Sequence, residues 1–176
     1  MFSDCQGRVQ SMAMIHERLY RSANLATLDF GEHLRELAEM LVRSFGETSA
    51  RVRLEVEAEG LTLDIDTAIP VGLILNELVT NALKCAFPGG RAGVLRVSLR
   101  QSDPGWLRLT VADDGVGLPD GLEMGQARSL GMKMVRSLTR QINGGIEIDR
   151  AQGTAFHIRF PAPATVTTAV PTLRAP

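Results

Sequence analysis

One stretch constrains this chain more than any other. Residues from roughly Thr67 to Phe87 read as a single helix, with Pro70 tolerable in the first turn and Pro88-Gly89-Gly90 stopping it. Ile74, Leu75, Leu78, Val79, Ala82 and Leu83 make a broad apolar face, while Glu77, Asn81 and Lys84 share another. An apolar face of that width has to be covered, and the flanking sequence supplies sheet. Arg51 to Glu57 alternates apolar and charged residues, as a half-buried strand does. Val94–Arg100 and Trp106–Asp113 read as strands joined through Ser102-Asp103-Pro104-Gly105, a hairpin signal. A further helix is expected from Leu130 to Ile142, then a second hairpin, IEIDR and AFHIRF, turning at Gly153. The fold class this predicts is α+β: a two-layer α/β sandwich with a mixed, mostly antiparallel sheet and helices on one face.

Two helices are expected ahead of the sandwich. Val9, Met12, Ile15 and Leu19 recur at helical spacing, and so do Phe30, Leu34, Leu37, Leu41, Val42 and Phe45. Asp29 is placed to cap the second and Gly46 to end it, with the turn-like SANLATLD between the two. They fit a helical hairpin or linker, and equally helices that simply pack on the following domain. The helical pattern is already under way near the first residue, as in a piece of a longer chain. After Pro161 the sequence is small, Pro-rich and aperiodic, which predicts a disordered tail. The expected divisions are 1–46, 47–161 and 162–176.

Composition excludes several partners. With 19 basic and 20 acidic residues the net charge is -1, so nothing attracts nucleic acid or an acidic membrane surface. Cys5 and Cys85 form no ligand-like pair, which points to a reducing cytoplasm. No run approaches the roughly 20 apolar residues of a spanning helix, and MFSDCQGRVQ lacks the apolar core of a signal peptide.

Four segments carry polar groups suited to chemistry. In ILNELVTNALK, residues 74–84, Asn81 beside Glu77 suits a hard cation such as Mg2+, and Lys84 one turn later suits phosphate oxygens. An ordinary solvated helix face explains them as well. In VADDGVGLP, residues 111–119, Asp113 at a strand end is an acceptor for an exocyclic amine, and the following glycines let backbone approach a flat ligand. Alone, this is also a plain Asp-Gly turn. Ser129 and Gly131 open a helix whose free N–H groups favour an anion, and Gly153-Thr154 is a turn between strands.

In order and separation, these segments resemble the nucleotide-binding domain shared by histidine kinases, gyrase-type ATPases, Hsp90-type chaperones and MutL-type repair proteins. The wording is closest to sensor histidine kinases. Residues 74–84 resemble the N box, 113–117 the G1 box, 129–131 a shortened G2 box and 153–154 the G3 position. The resemblance covers about residues 50–161. It implies ATP and Mg2+ as cofactors, with Asn81 on the metal and Glu77 orienting or deprotonating the attacking group. It places Asp113 on the adenine amine, Gly115 and Gly117 around the base, and Thr154 in support. Lys84, Asn76, Ser129 and Gly131 fall near the phosphates. In-line phosphoryl transfer then needs mainly positioning and a metal clamp.

The LPDGLEMGQAR loop is short and has no aromatic F box, which resembles the short-lid subfamily of light- and stress-sensing kinases. RVQSMAMIHERLY is similar to the second dimerisation helix of that subfamily, and Cys85 stands where a histidine is usual. No H-R-x-K-N-like acceptor motif is present. His16 matches the second helix, and His33 and His157 have weaker claims. The expected function is therefore the Mg-ATP-binding part of a cytoplasmic two-component histidine kinase. It would transfer phosphoryl to a histidine outside this sequence, in a homodimer that serves a response-regulator receiver domain. The alternatives are a non-enzymatic nucleotide-binding or phosphotransfer adaptor, and a serine kinase acting on a sigma-factor antagonist.

Overall fold

A computed structural model describes residues 28–46, 50–58, 60–118 and 130–163. The helix expected at Val9–Leu19, Ser129 and most of the expected tail lie outside these residues. The chain runs β1 (Leu28–Asp29), α1 (Phe30–Arg43), β2 (Val52–Ala58), β3 (Thr62–Leu63), α2 (Ile65–Cys85), a single turn of 3-10 helix (Pro88–Gly90), β4 (Gly93–Asp103) and β5 (Trp106–Asp113). It closes with α3 (Leu130–Gln141), β6 (Gly145–Asp149) and β7 (Thr154–Pro161). The main sheet has five strands in the order β2-β4-β5-β7-β6, and only β2 and β4 are parallel. A parallel pair needs a long crossover, and α2 supplies it. This is the two-layer sandwich the sequence predicts.

Alternation along the strands decides which face is covered. Leu95, Val97 and Leu99 on β4, Leu107, Leu109 and Val111 on β5, and Ile158 and Phe160 on β7 are buried against the helices. Their neighbours Arg96, Arg100, Arg108, Thr110, His157 and Arg159 stand on the opposite face. There the Thr110 hydroxyl and His157 Nδ1 lie 3.0 Å apart in a hydrogen bond, and the Arg159 guanidinium stacks 4.2 Å over the Trp106 ring.

Helix α2 is the central element. It starts two residues before the predicted Thr67, because Asp64 in extended conformation caps it: the Thr67 N–H donates to Asp64 Oδ1 at 2.8 Å. Pro70 therefore lies beyond the first turn. The expectation that no run approaches a spanning helix is corrected here: at 21 residues and a mean hydropathy of 1.2, α2 has the length and composition of one, because it is an apolar core helix most of which is buried inside the domain. Its apolar character is that of a core helix enclosed by the sheet and by flanking helices.

Helix α1 packs on the domain that follows it, the second of the two alternatives its pattern left open. Phe30, Leu34, Leu37 and Ala38 are fully buried in one core with Leu75, Leu78 and Leu99. SANLATLD is more than a connector at its end, since Leu28 and Asp29 pair antiparallel with Leu63 and Thr62. The Phe30 N–H also donates to the Leu61 carbonyl at 2.8 Å, tying the entry of α1 to β3. Strand β7 runs to Pro161, and the Ala162 N–H still bonds the Gly105 carbonyl at 2.9 Å.

Candidate functional site

The register brings the end of β5, the start of β7 and the last turns of α2 to one end of the sheet. Asp113 closes β5 directly opposite Thr154, the first residue of β7. Asp113 is 7 % exposed, and its carboxylate accepts the Gly115 N–H at 3.0 Å. Burial pushes the Asp113 carboxyl above its ordinary value. Backbone N–H groups of Gly115 and Thr154 pull it back down, and the neighbouring Asp114 charge raises it slightly further.

The loop after Asp113 is pressed onto α2. A side chain at Gly115 would overlap the carbonyl of Ala86, and the Val116 N–H donates to that same carbonyl at 3.0 Å. Gly117 and Gly153 sit at φ 75° and 83°, the left-handed region that glycine enters without strain. A Cβ on Gly153 would also strike the Asp113 carbonyl. These glycines let three backbone segments converge where side chains would hold them apart.

Between the segments lies a cavity of about 240 Å³. Asn81 and Cys85 reach it from α2, Asp113 and Gly117 from the β5 loop, and Thr154 from β7. Leu78, Val111, Met132 and Phe156 give it apolar walls. A mostly apolar slot with a few polar groups, one of them a buried carboxylate, suits a flat heteroaromatic ring with an amine at its edge. The Asn81 amide Nδ2 rests 3.8 Å from Met132 Sδ, which links α2 to α3 across the cavity. A wider depression of about 450 Å³ beside α1 is lined by Arg35, Glu57 and Arg100. Its polar groups are already engaged, Arg35 with the Val56 carbonyl and Arg100 with Glu57.

Asn81, Asp113, Gly117 and Thr154 of the sequence-derived set thus line one cavity. Glu77 is buried one turn before Asn81 and abuts Gly131, while Gly115 forms the back of the loop. Asn76 is buried and Lys84 exposed, and neither lines the cavity. Cys85 and Met132 do line it, without a site role in the sequence reading. Cys85 follows Asn81 by four residues, so helical spacing carried the signal. Among the described residues no group of three or more His, Cys, Asp or Glu forms a metal cluster. The donor set fits a hard cation that draws most of its ligands from phosphate and water.

A mixed five-stranded sheet with α2 packed across it and a cavity at one end is the frame of an ATPase domain. The chain belongs to the family described as Histidine kinase-, DNA gyrase B-, and HSP90-like ATPase, whose model it matches over residues 66–164. Residues 1–45 match a second model, described as Histidine kinase. The chain is 27% identical over 165 residues to blue-light-activated histidine kinase 2 of Erythrobacter litoralis, covering 91% of this chain and 47% of that protein. It is 30% identical over 161 residues to the sensor histidine kinase PdtaS of Mycobacterium tuberculosis, covering 88% of this chain and 31% of that one. The chain therefore spans less than half the length of these relatives. The histidine kinase domain from the Erythrobacter litoralis EL346 blue-light-activated kinase superposes with a TM-score of 0.83 at 26% identity, over 92% of this chain and 76% of that one. The sequence-derived family and fold class agree with these matches, and the chain carries a histidine kinase ATPase domain, which binds nucleotide.

Proposed function

We propose that the cavity between Asn81 and Asp113 takes Mg-ATP, and that the domain delivers the γ-phosphoryl to a histidine of a longer, dimeric sensor kinase in the cytoplasm. Asp113 would accept the adenine amine and the Asn81 carboxamide oxygen would face the metal. Glu77, beside Asn81, would orient the attacking imidazole. Mg2+ supplies charge neutralisation on the phosphates when bound. The observation that carries this reading is that Asn81 and Asp113, on different elements, open into one cavity.

The histidines within the described residues are poorly placed as acceptors. His33 is fully buried in α1, and His157 lies on the sheet's helix-free face against Thr110. The match of residues 1–45 to a histidine kinase model supports a dimerisation role for that segment and a receiver domain as the downstream partner.

Titration calorimetry of the purified chain tests the site. ATP binding is expected to weaken when EDTA replaces Mg2+ and when Asn81 becomes Ala, and to be lost in Asp113→Ala. Unchanged affinity in both variants overturns the assignment. Supplying a histidine-bearing dimerisation helix and finding acid-labile phosphate on it would separate a histidine kinase from a serine kinase or a passive nucleotide module.

A further inference from the structure

Strand β5 ends at Asp113, yet the next residue carries its ladder one step further by unusual means. The Asp114 N–H donates to the Val94 carbonyl at 3.3 Å, as a strand residue would. In return, Asp114 Oδ1 accepts the Val94 N–H at 2.7 Å. A side-chain carboxylate thus stands in for a backbone carbonyl, and both polar groups of Val94 are paired with one residue. The Asp114 carbonyl, released from the ladder, accepts from the Arg91 guanidinium at 3.0 Å.

The sequence around β4 makes room for this arrangement. A Cβ on Gly93 would fall 2.5 Å from Asp114 Oδ1 and would also overlap the Phe87 ring. The Gly93 N–H is held by the Arg51 carbonyl at 3.2 Å, and Arg51 in turn donates to the Gly90 carbonyl at 3.0 Å. The first residue of β4 is therefore a fixed post. On its other flank the loop is held by Val116 against Ala86. Asp113 and Gly115, whose N–H orients the Asp113 carboxylate, are strung between these two attachments.

We propose that Asp114 is a positioning residue for base recognition: by gripping the Val94 N–H it sets the Asp113–Gly115 turn, and with it the direction of the carboxylate that receives the adenine amine. This rests on reading Asp113 as the adenine acceptor. A residue that merely staples a strand end would give stability without selectivity. A positioning residue also controls discrimination between a base with an amine at its six-position and one with a carbonyl there.

The test is calorimetric binding of Mg-ADP and Mg-GDP to the whole chain, with thermal melting alongside. Asp114→Asn keeps an acceptor oxygen in place and is expected to bind ADP as the parent does. Asp114→Ala is expected to lose about tenfold in ADP affinity, the scale of one charged hydrogen bond, while GDP affinity stays nearly constant. The preference for adenine then shrinks. If Asp114→Ala does not fold, Asp114→Glu keeps the charge but displaces the oxygen by one methylene, and the same loss of preference is expected. A folded Ala or Glu variant that keeps the parental ADP-to-GDP ratio overturns the proposal. So does Asp114→Asn losing as much as Ala. A parent chain without preference for ADP, or Asp113→Ala binding as tightly as the parent, sinks the reading of Asp113 instead.

Discussion

The carboxylate of Glu77 occupies the space that a side chain at position 131 would need. A Cβ there would overlap Glu77 Oε1, so the first turn of α3 can rest on α2 only because residue 131 is glycine. Glu77 is 8 % exposed, and Met132, the residue after Gly131, lines the cavity.

Gly131→Ala is accordingly expected to push Glu77 out of place or lift α3 from α2. Overpacking of this kind costs about 1–3 kcal/mol. The melting temperature should fall, and Mg-ATP binding should weaken by more than it does for an alanine at exposed Lys133, which serves as a control on the same helix. Equal effects of the two substitutions on nucleotide affinity would rule out a role for the Glu77–Gly131 contact in the site.

Asp113 ties stability to pH in a direction opposite to most surface carboxylates. Its native carboxyl titrates above the unfolded value of 3.8, so the folded state holds its proton more tightly. The stabilising contribution is fully present below the unfolded value and is lost as pH rises through the higher native one. Adenine binding runs the other way, because an ionised carboxylate accepts an amine hydrogen bond more strongly than the protonated acid does. Asp113→Asn removes the buried charge. It is expected to melt higher than the parent at neutral pH, to show a flatter pH profile through the mildly acidic range, and to bind ATP more weakly. Chemical denaturation from pH 4 to 8 checks the first two, and an unchanged pH slope would contradict them.

How legible this was in the sequence varied with the length of the local pattern. Trp106 to Asp113 was readable as a strand to the residue, because eight alternating positions fix both period and face. Leu28–Asp29 and Thr62–Leu63 are too short to show any period, so their pairing appears only once α1 and α2 dock. The start of α2 was misread because Pro70 looked like a first-turn proline, while Asp64 and Thr67 carried the capping signal. In the site, motif order was sufficient to join Asn81 to Asp113. It chose Lys84 for the ligand side, whereas Cys85 and not Lys84 lines the cavity. The two are one residue, about 100° of helix rotation, apart, and that rotation is set by how Leu75 and Leu78 seat on the sheet.

The burial of α1 leads to a prediction about the unit of folding. Leu34 and Leu37 are fully enclosed with α2 and β4 residues, so α1 belongs energetically to the nucleotide-binding core. Leu34→Ala is expected to destabilise the whole domain by about 2–5 kcal/mol in a single cooperative transition. A chain beginning after residue 46 should expose that core face and melt far lower. A truncated domain as stable as the parent would show that α1 packs there without contributing.

Cys85 offers the most direct view of the cavity. It is exposed, it lines the cavity wall near Asn81, and a histidine is usual at this place in the resembling subfamily. A thiol there is reachable by a maleimide, whose addition would place a bulky succinimide in the slot. In a Cys5→Ser background, where Cys85 is the remaining cysteine, alkylation should abolish ATP binding without lowering the melting temperature. Nucleotide should protect in turn: with Mg-ATP at roughly ten times its Kd, labelling should slow about tenfold, since only the free form reacts. Cys85→Ser should bind ATP and lose the sensitivity. Labelling that proceeds at the same rate with and without saturating Mg-ATP would mean that the nucleotide does not pass this wall, and the cavity would then have to be reassigned.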